Sequence, residues 1–439
     1  MKRTAYHMTY LLFIVAFFKG VLENIGIAES LIQLLIDLLI IGIFSISLIF
    51  MMSREDIIVL GSKITLVFFL FIIISFLLNN VSSLHLVLFL RQFFIYILFL
   101  YALMNIEFDE VCRDNLLKLL MILFILQIPA SYIKLMVLGG TLEKYVGTMT
   151  ILEGSLATVM PLLGISYAIS LYLSSHKLRY IFLVLLFISI GLISNKLGIL
   201  FYIFILFIAL TLLYAKKKTN SFLFNQEFIR NISKVVLYLL IIFALFVTIN
   251  PRANPEHKVG GSIDIDYLIK FTQDYNTLKL KNSKVEGDGR GDAPFLAFER
   301  LERGGLLNIL IGYGPGDIVA SSFLPYGDPL LEKYNIGYGG RLGVVWMMMQ
   351  LGVVGMIIFV IFHLSLFFKV YRKYIEVNQE EEIIKMLGMM GIIIIFFIDF
   401  FTYSSELLYS AGVTLAYYYF IYYAVTYQQK GKIDYEFRK

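Results

Sequence analysis

Apolar residues run along this chain in long blocks, and polar residues collect in the gaps between them. Most blocks approach or exceed the roughly 18 apolar residues that mark a membrane-crossing helix. They predict about twelve transmembrane spans, at 8–20, 31–51, 64–78, 84–104, 116–137, 155–173, 180–194, 197–215, 235–249, 342–368, 386–403 and 407–426. The region 180–215 reads equally as a hairpin or as one broken helix. One gap is far longer than the rest. The chain therefore divides into an N-terminal transmembrane bundle over 1–249, a large extracytoplasmic loop over 250–341, and C-terminal helices with a cytoplasmic tail over 342–439. The expected fold class is an all-α polytopic membrane protein.

Composition agrees. The 439 residues are 59% hydrophobic with a mean hydropathy of +0.81, against about 45–50% apolar in ordinary soluble domains. No cleavable signal is expected, because the first apolar run, Met8 to Phe18, lacks a small-residue cleavage pattern.

Charge sets the orientation, since lysine and arginine favour the cytoplasmic side. With both termini inside, the inner segments carry 21 of the 37 basic residues, Lys216, Lys217 and Lys218 among them. The short outer loops carry only Lys19, Lys144 and Lys196. The long segment Asn250–Arg341 holds 11 basic and 12 acidic residues, but long segments translocate regardless of charge. The net charge of +5 is modest and reads as orientation bias rather than a nucleic-acid signal. The single cysteine, Cys112, excludes an internal disulfide and any multi-cysteine metal site. No bound metal and no cofactor are expected.

Charges inside lipid cost about 2.5–3.5 kcal/mol on insertion scales and need a reason. The spans contain Asp37, Arg91, Lys134 and Asp399. Arg91 has two readings: an internal pair, for instance with Asp37, or a contact for an anionic head group. Lys134 stands near a span end, where it can snorkel. In "ISNKLGIL", Lys196 marks either a solvated turn or a second cation in an outward-facing cavity.

The outer loop concentrates chemistry. "GDGRGDAPFLAFERLERGG" gathers Arg290, Arg300 and Arg303 with Asp292, Glu299 and Glu302. Glu299 and Arg303 are spaced for a helical pair. The apolar positions Ala293, Phe295, Leu296, Phe298, Leu301 and Leu306 suit a short helix lying on a membrane surface. "GYGPG" follows, where Gly312, Gly314 and Gly316 permit close backbone approach and an anion-binding nest. Arginine forks recognise phosphate through paired hydrogen bonds. Last comes "GYGGRLGVVWMMMQLGVVG", which puts Arg341 where a glycine-rich loop meets a transmembrane helix. Cations and glycine turns at an outer membrane surface suggest a phosphate-bearing lipid. "DID" (Asp264, Asp266), "RGD" (Arg290–Asp292) and a dinucleotide reading of "GYGPG" lack the context each would need.

With its spans, its outer loop ahead of the last three, and these motifs, the chain resembles the superfamily of O-antigen ligases and Wzy-type O-antigen and capsular polysaccharide polymerases. Gly289–Arg290 is similar to the family's G-R stretch, "GYGPG" to its G-x-G turn, and "SNK" to its S-R/K break between helices. Ligases carry a histidine ten residues ahead of a glycine at the loop-to-helix junction, and this chain has Arg341 there. Polymerases are known for arginine, ten residues, glycine, which Arg341–Gly352 and Arg303–Gly314 both fit.

The resemblance implies a GT-C-like membrane glycosyltransferase in the bacterial plasma membrane. Donor and acceptor would be undecaprenyl-pyrophosphate-linked oligosaccharides, with flippase and chain-length regulator proteins as partners. Catalysis would need positive charge where the leaving pyrophosphate forms and alignment of an acceptor hydroxyl. Arg290, Arg303 and Arg341 would supply that charge, and Arg91, Lys196 and the three glycines would bind the donor. Arginine is a poor base, so either Glu299 or Glu302 takes the acceptor proton or deprotonation is late and solvent-assisted. A ligase-like transferase and a lipid-linked oligosaccharide flippase are the alternative functions.

Overall fold

The computed structural model describes residues 1–52, 62–138, 145–150, 154–194, 198–219, 254–258, 260–276, 289–319, 329–337 and 341–427, with Lys196 and isolated positions between 233 and 248. Every regular element among them is helical. In the first half these are α1 (Lys2–Phe17), α2 (Lys19–Asn24), α3 (Glu29–Met52), α4 (Ser62–Asn79) and α5 (Ser83–Phe89). A π-helical turn (Leu90–Phe94) then joins α5 to α6 (Ile95–Ile106), followed by α7 (Glu110–Leu138), α8 (Leu156–Ser175), α9 (Leu178–Ile193) and α10 (Gly198–Thr219). The long segment supplies α11 (Ile265–Asn276), α12 (Ala293–Arg303), α13 (Leu306–Ile311) and α14 (Pro329–Tyr334). The chain closes with α15 (Gly343–Glu376), α16 (Glu380–Thr402), the short α17 (Glu406–Tyr409) and α18 (Ala411–Thr426).

Among the described residues, seven units are long and apolar enough to cross a bilayer: α3, the α5–π–α6 unit, α7, α8, α10, α15 and α16. At about 1.5 Å per residue, the 24 residues of α3 reach roughly 36 Å, against a hydrocarbon core of about 30 Å. Two shorter apolar helices, over Lys63–Asn79 and Leu178–Ile193, accompany them. The span expected at 235–249 lies largely outside the described residues.

Burial sorts the helices into core and rim. Every residue of α18 from Ala411 to Ala424 is buried, as is most of α8. A helix apolar on all faces belongs in the centre. The tyrosines of α18 are affordable there because their hydroxyls find partners. Tyr417 meets His363 Nδ1 at 2.7 Å, Tyr419 donates to the Arg113 carbonyl at 2.6 Å, and Tyr423 donates to Asp114 at 2.6 Å. At the rim, α3 and α4 leave Leu34, Leu38, Leu66 and Leu70 exposed, as a lipid-facing surface requires.

Polar contacts tie each end of the bundle together. At one end Lys2 donates to the Glu107 carbonyl, Arg113 to that of Thr426, and Lys217 to that of Ile375. Ser174 and Lys218 both reach Glu380 there. So α10 finishes where α9 begins, and residues 180–215 form a hairpin. The other end joins Lys19 to Glu29, Thr148 to Phe17, Ser155 to Glu406, and Tyr202 to Thr402. The first helix starts and the last one stops at the same end, which we call the terminal end.

Candidate functional site

The end opposite the termini carries a loop between α16 and α18 that is unusually well fixed. Asp399 lies in the last turn of α16 and is buried. Its carboxylate accepts from the backbone amides of Ser404 at 3.2 Å and Leu407 at 2.9 Å. Those bonds hold the chain in a tight reversal with Ser405 at φ 60°. Tyr403 pairs with Thr158 at 2.8 Å, and Tyr409 shares its one hydroxyl proton between the Ser404 carbonyl at 3.0 Å and Glu406 at 3.4 Å. Glu406 is 1% exposed and accepts from Ser155 and from Tyr409. A carboxylate this deeply buried is tolerable only with hydrogen-bond donors around it.

Two arginines from residues 250–341 meet this loop. The Arg290 guanidinium stacks 4.5 Å from the centre of the Tyr403 ring, and its Nη2 donates to Ser404 Oγ at 3.4 Å. Asp399 and Tyr202 lie within electrostatic reach of it. Arg341 stands at the mouth of α15. Its backbone carbonyl accepts from Ser405 Oγ at 3.3 Å, while the residue as a whole is exposed. Residues separated by more than fifty positions thus converge on Tyr403–Glu406, beside the N-termini of α8 and α10.

Arg303, Glu299 and Glu302 do not join this group through any of those contacts. Arg303 pairs with Glu299 one turn away, and Glu302 is exposed. The cause is the register of α12, which buries Ala293, Ala297 and Leu301 and turns the intervening charges outward. Arg300 is used locally, donating to the Tyr334 carbonyl at 2.9 Å. Phe295, Phe298 and Leu306 remain exposed, but Ala293 and Leu301, expected on the same membrane-facing surface, are buried with Val345 and Met348 of α15.

The glycines take a different role from the anion nest expected of them. The amide of Gly312 donates to Asn308, that of Tyr313 to Met349 and that of Gly314 to Gln350, all to backbone carbonyls. The Gly316 amide donates to the Gln350 side chain at 2.9 Å. Donors already used by protein acceptors are not available to a phosphate. All three glycines have positive φ and touch other segments closely: Gly312 the backbone of α15, Gly314 Val81, and Gly316 the carbonyl of His85. Opposite them Gly352 breaks α15 at φ 65°, ψ −174° and packs on the backbone of Leu310 and Ile311. "GYGPG" is therefore a packing joint that locks the segment carrying α12 and α13 to α5 and α15. Both arginine-ten-glycine pairs end on it.

Arg91 sits in the π turn and pairs with Asp37 at 2.6 Å, and Gln33 also donates to Asp37 at 3.0 Å. Pairing is the internal reading of these charges. The Arg91 side chain nonetheless keeps 43% of its surface exposed, so the pair is not sealed in the core. Its segment is joined to the loop: α17 packs on the π turn, and Phe93, Trp346 and Tyr409 form a run of ring contacts at 6.1 and 6.0 Å. Lys196, between α9 and α10, is 8% exposed rather than solvated. Lys134 does not stay in lipid either, donating to the Thr150 carbonyl. Replacing Asp37 with asparagine removes the counter-charge of a cation at membrane depth. A hydrogen bond to a charged group contributes about 1.5–3 kcal/mol, and a loss of that order in the thermal stability of purified Asp37→Asn is expected. Unchanged melting would show the pair to be dispensable.

Glu406 and Tyr403 escaped sequence reasoning. The clue was "TYSSELLYSAG", a polar break too short to be a loop domain, with its acid between two apolar runs.

No protein-family model matches this chain, and no curated protein matches it either.

Proposed function

We propose that this chain is a membrane glycosyltransferase of the polysaccharide-polymerase kind, working on a pyrophosphate-linked lipid donor at the outer face of a bacterial plasma membrane. The observation that carries this reading is the convergence of Arg290 and Arg341 on the Tyr403–Glu406 loop at the ends of membrane helices. The acceptor hydroxyl oxygen attacks the anomeric carbon of the donor sugar. The bond from that carbon to the pyrophosphate oxygen breaks, and its electron pair leaves with the pyrophosphate. Arg290 and Arg341 offset the charge that develops on the leaving group. Glu406, buried and already accepting from two hydroxyls, takes the acceptor proton in place of Glu299, which Arg303 engages. Arg91, linked to the loop through α17, faces the phosphate of the lipid carrier.

The same reading gives about twelve spans with both termini cytoplasmic. The terminal end gathers Lys2, Arg113, Lys217 and Lys218, and basic residues mark the cytoplasmic side. A cysteine at Ser262, with Cys112 replaced by serine, is expected to react with an impermeant thiol reagent in intact cells. Reaction only after permeabilisation would reverse the orientation.

The test of function is polymerisation by purified protein from a lipid-linked repeat unit. Wild type is expected to lengthen it, and Glu406→Gln to slow turnover by about 10²–10⁴-fold, the usual contribution of general base catalysis. Transfer only to a different acceptor would make the protein a ligase. Transbilayer movement without any new glycosidic bond would make it a flippase.

A further inference from the structure

A cavity of about 480 Å³ opens at the terminal end of the bundle, far from the Arg290 loop, among Lys2, Arg3, Tyr6, His7, Phe108 and Asp109. Small-molecule sites span about 300–1,000 Å³, so the space is sufficient for a ligand. The proposed reaction gives it no role.

Its lining favours an anion. Lys2 donates to the Glu107 carbonyl at 3.1 Å, which leaves two of the three ammonium donors. Arg3 is exposed and has no hydrogen bond or ion pair among the described residues. The acid in the lining, Asp109, lies within electrostatic reach of Lys2 and is also engaged by the chain that follows it. It caps the N-terminus of α7, accepting from the Cys112 amide at 2.7 Å. That backbone hydrogen bond, with a second from the Cys112 side chain, holds its carboxyl below the usual carboxylate range. Tyr6 and Phe108 close one wall edge to face at 6.2 Å.

Its surroundings favour a lipid. Leu11 lies one turn beyond His7 on the same face of α1 and is 46% exposed. Val111 adjoins the pocket at the start of α7 and is 69% exposed. An apolar path thus leads from the cationic pocket along two membrane-facing helices.

We propose that this pocket holds the phosphate head group of an anionic phospholipid from the adjoining leaflet, gripped by Lys2 and Arg3, with its acyl chains along Leu11 and Val111. Basic pockets between helices at the cytoplasmic surface are suited to such head groups.

The experiment uses the full-length protein in mixed micelles, with lipid retention read by native mass spectrometry and thermal stability measured in parallel. Phosphatidylglycerol is expected to be retained over phosphatidylcholine and to raise the melting temperature. The double substitution Lys2→Gln with Arg3→Gln should weaken phosphatidylglycerol retention about tenfold or more, as expected when charge-assisted hydrogen bonds are lost. Lys177→Gln, an exposed cation that does not line the pocket, should leave retention unchanged. Excess soluble glycerol phosphate should not displace the lipid. If the double variant melts early in phosphatidylcholine, Arg3→Gln alone decides, because Arg3 has no hydrogen bond or ion pair among the described residues. Undiminished retention by the pocket variant would overturn the proposal. So would an equal loss in Lys177→Gln, which would mean general surface charge. Displacement by glycerol phosphate would make the ligand a soluble phosphate ester.

Discussion

Arg290→Ala is expected to abolish polymer formation while the protein still reaches the membrane. The reason is geometric. The Arg290 guanidinium is fixed against the α16–α18 loop, over Tyr403 and beside Ser404. A guanidinium held in this way offers a planar fork to a pyrophosphate without first having to be ordered. Charge-assisted hydrogen bonds contribute about 1.5–3 kcal/mol. Realised in the transition state, that is roughly one to two orders of magnitude in rate. Arg290→Lys should lose most of this, since an ammonium keeps the charge but not the fork. Arg341→Ala should behave similarly. Its side chain is exposed, so its loss should cost less stability than that of Arg290. A purely structural role predicts something else: a cation over an aromatic face contributes about 0.5–2 kcal/mol, so Arg290→Ala would melt early and Arg290→Lys would recover both folding and activity. Melting temperature and polymer length from the same preparation separate the two cases. Full-length polymer from well-folded Arg290→Ala and Arg341→Ala would sink the catalytic assignment.

Gly352→Ala should have the largest effect on stability of any single-methyl change. Gly352 adopts φ 65° with ψ −174°, a conformation open essentially to glycine alone, and strain there costs about 1–3 kcal/mol. An added Cβ would also collide with the backbone of Leu310 and Ile311. Backbone gives way less readily than a side chain, and overpacking typically adds about 1–3 kcal/mol. Together the two effects total about 2–6 kcal/mol, a large part of the stability of a typical domain. The variant should express poorly and melt well below wild type. Gly316→Ala should do the same, because its Cβ would overlap the His85 carbonyl. Gly26→Ala is the control: its φ is also positive, at 94°, but nothing lies within 4 Å of the new methyl. If Gly352→Ala melts no lower than Gly26→Ala, close packing at the joint is not what the glycine provides.

These two cases show why some of the molecule could be read in advance. The hydrophobic blocks identified the membrane helices because a backbone in lipid must satisfy its hydrogen bonds internally, and that demand is written residue by residue. The ends of α3, α4 and α9 fall within a few residues of the expected spans for this reason. Ala293 and Leu301, expected on a membrane surface, instead pack with Ala297 inside the protein, yet the amphipathic character of α12 was itself legible. So was the need for partners around Asp37 and Arg91, because charge in lipid is expensive wherever it stands.

Which partners they take, no local pattern could decide. The pairing of Arg91 with Asp37 across 54 positions was one of two readings, and Arg290 finds Ser404 across 114. Such pairs depend on how helices pack, and helices packed in lipid carry no periodic mark of which neighbour they touch. The glycines make the same point from the other side. Positive φ and close approach were expected of Gly312, Gly314 and Gly316. The crossing of α15, with its free carbonyls at Met349 and Gln350 where Gly352 breaks the helix, made them a joint rather than a nest. Glu406 was hidden because its burial is created by α8 and α18 closing around it. By itself the sequence determined the helices, their membrane-crossing character and the types of residue available for chemistry, all of which follow from each residue's own transfer and backbone energetics. The tertiary structure alone decided which of those residues meet, because a meeting is a property of two distant segments and of the packing that brings them within a hydrogen bond of each other.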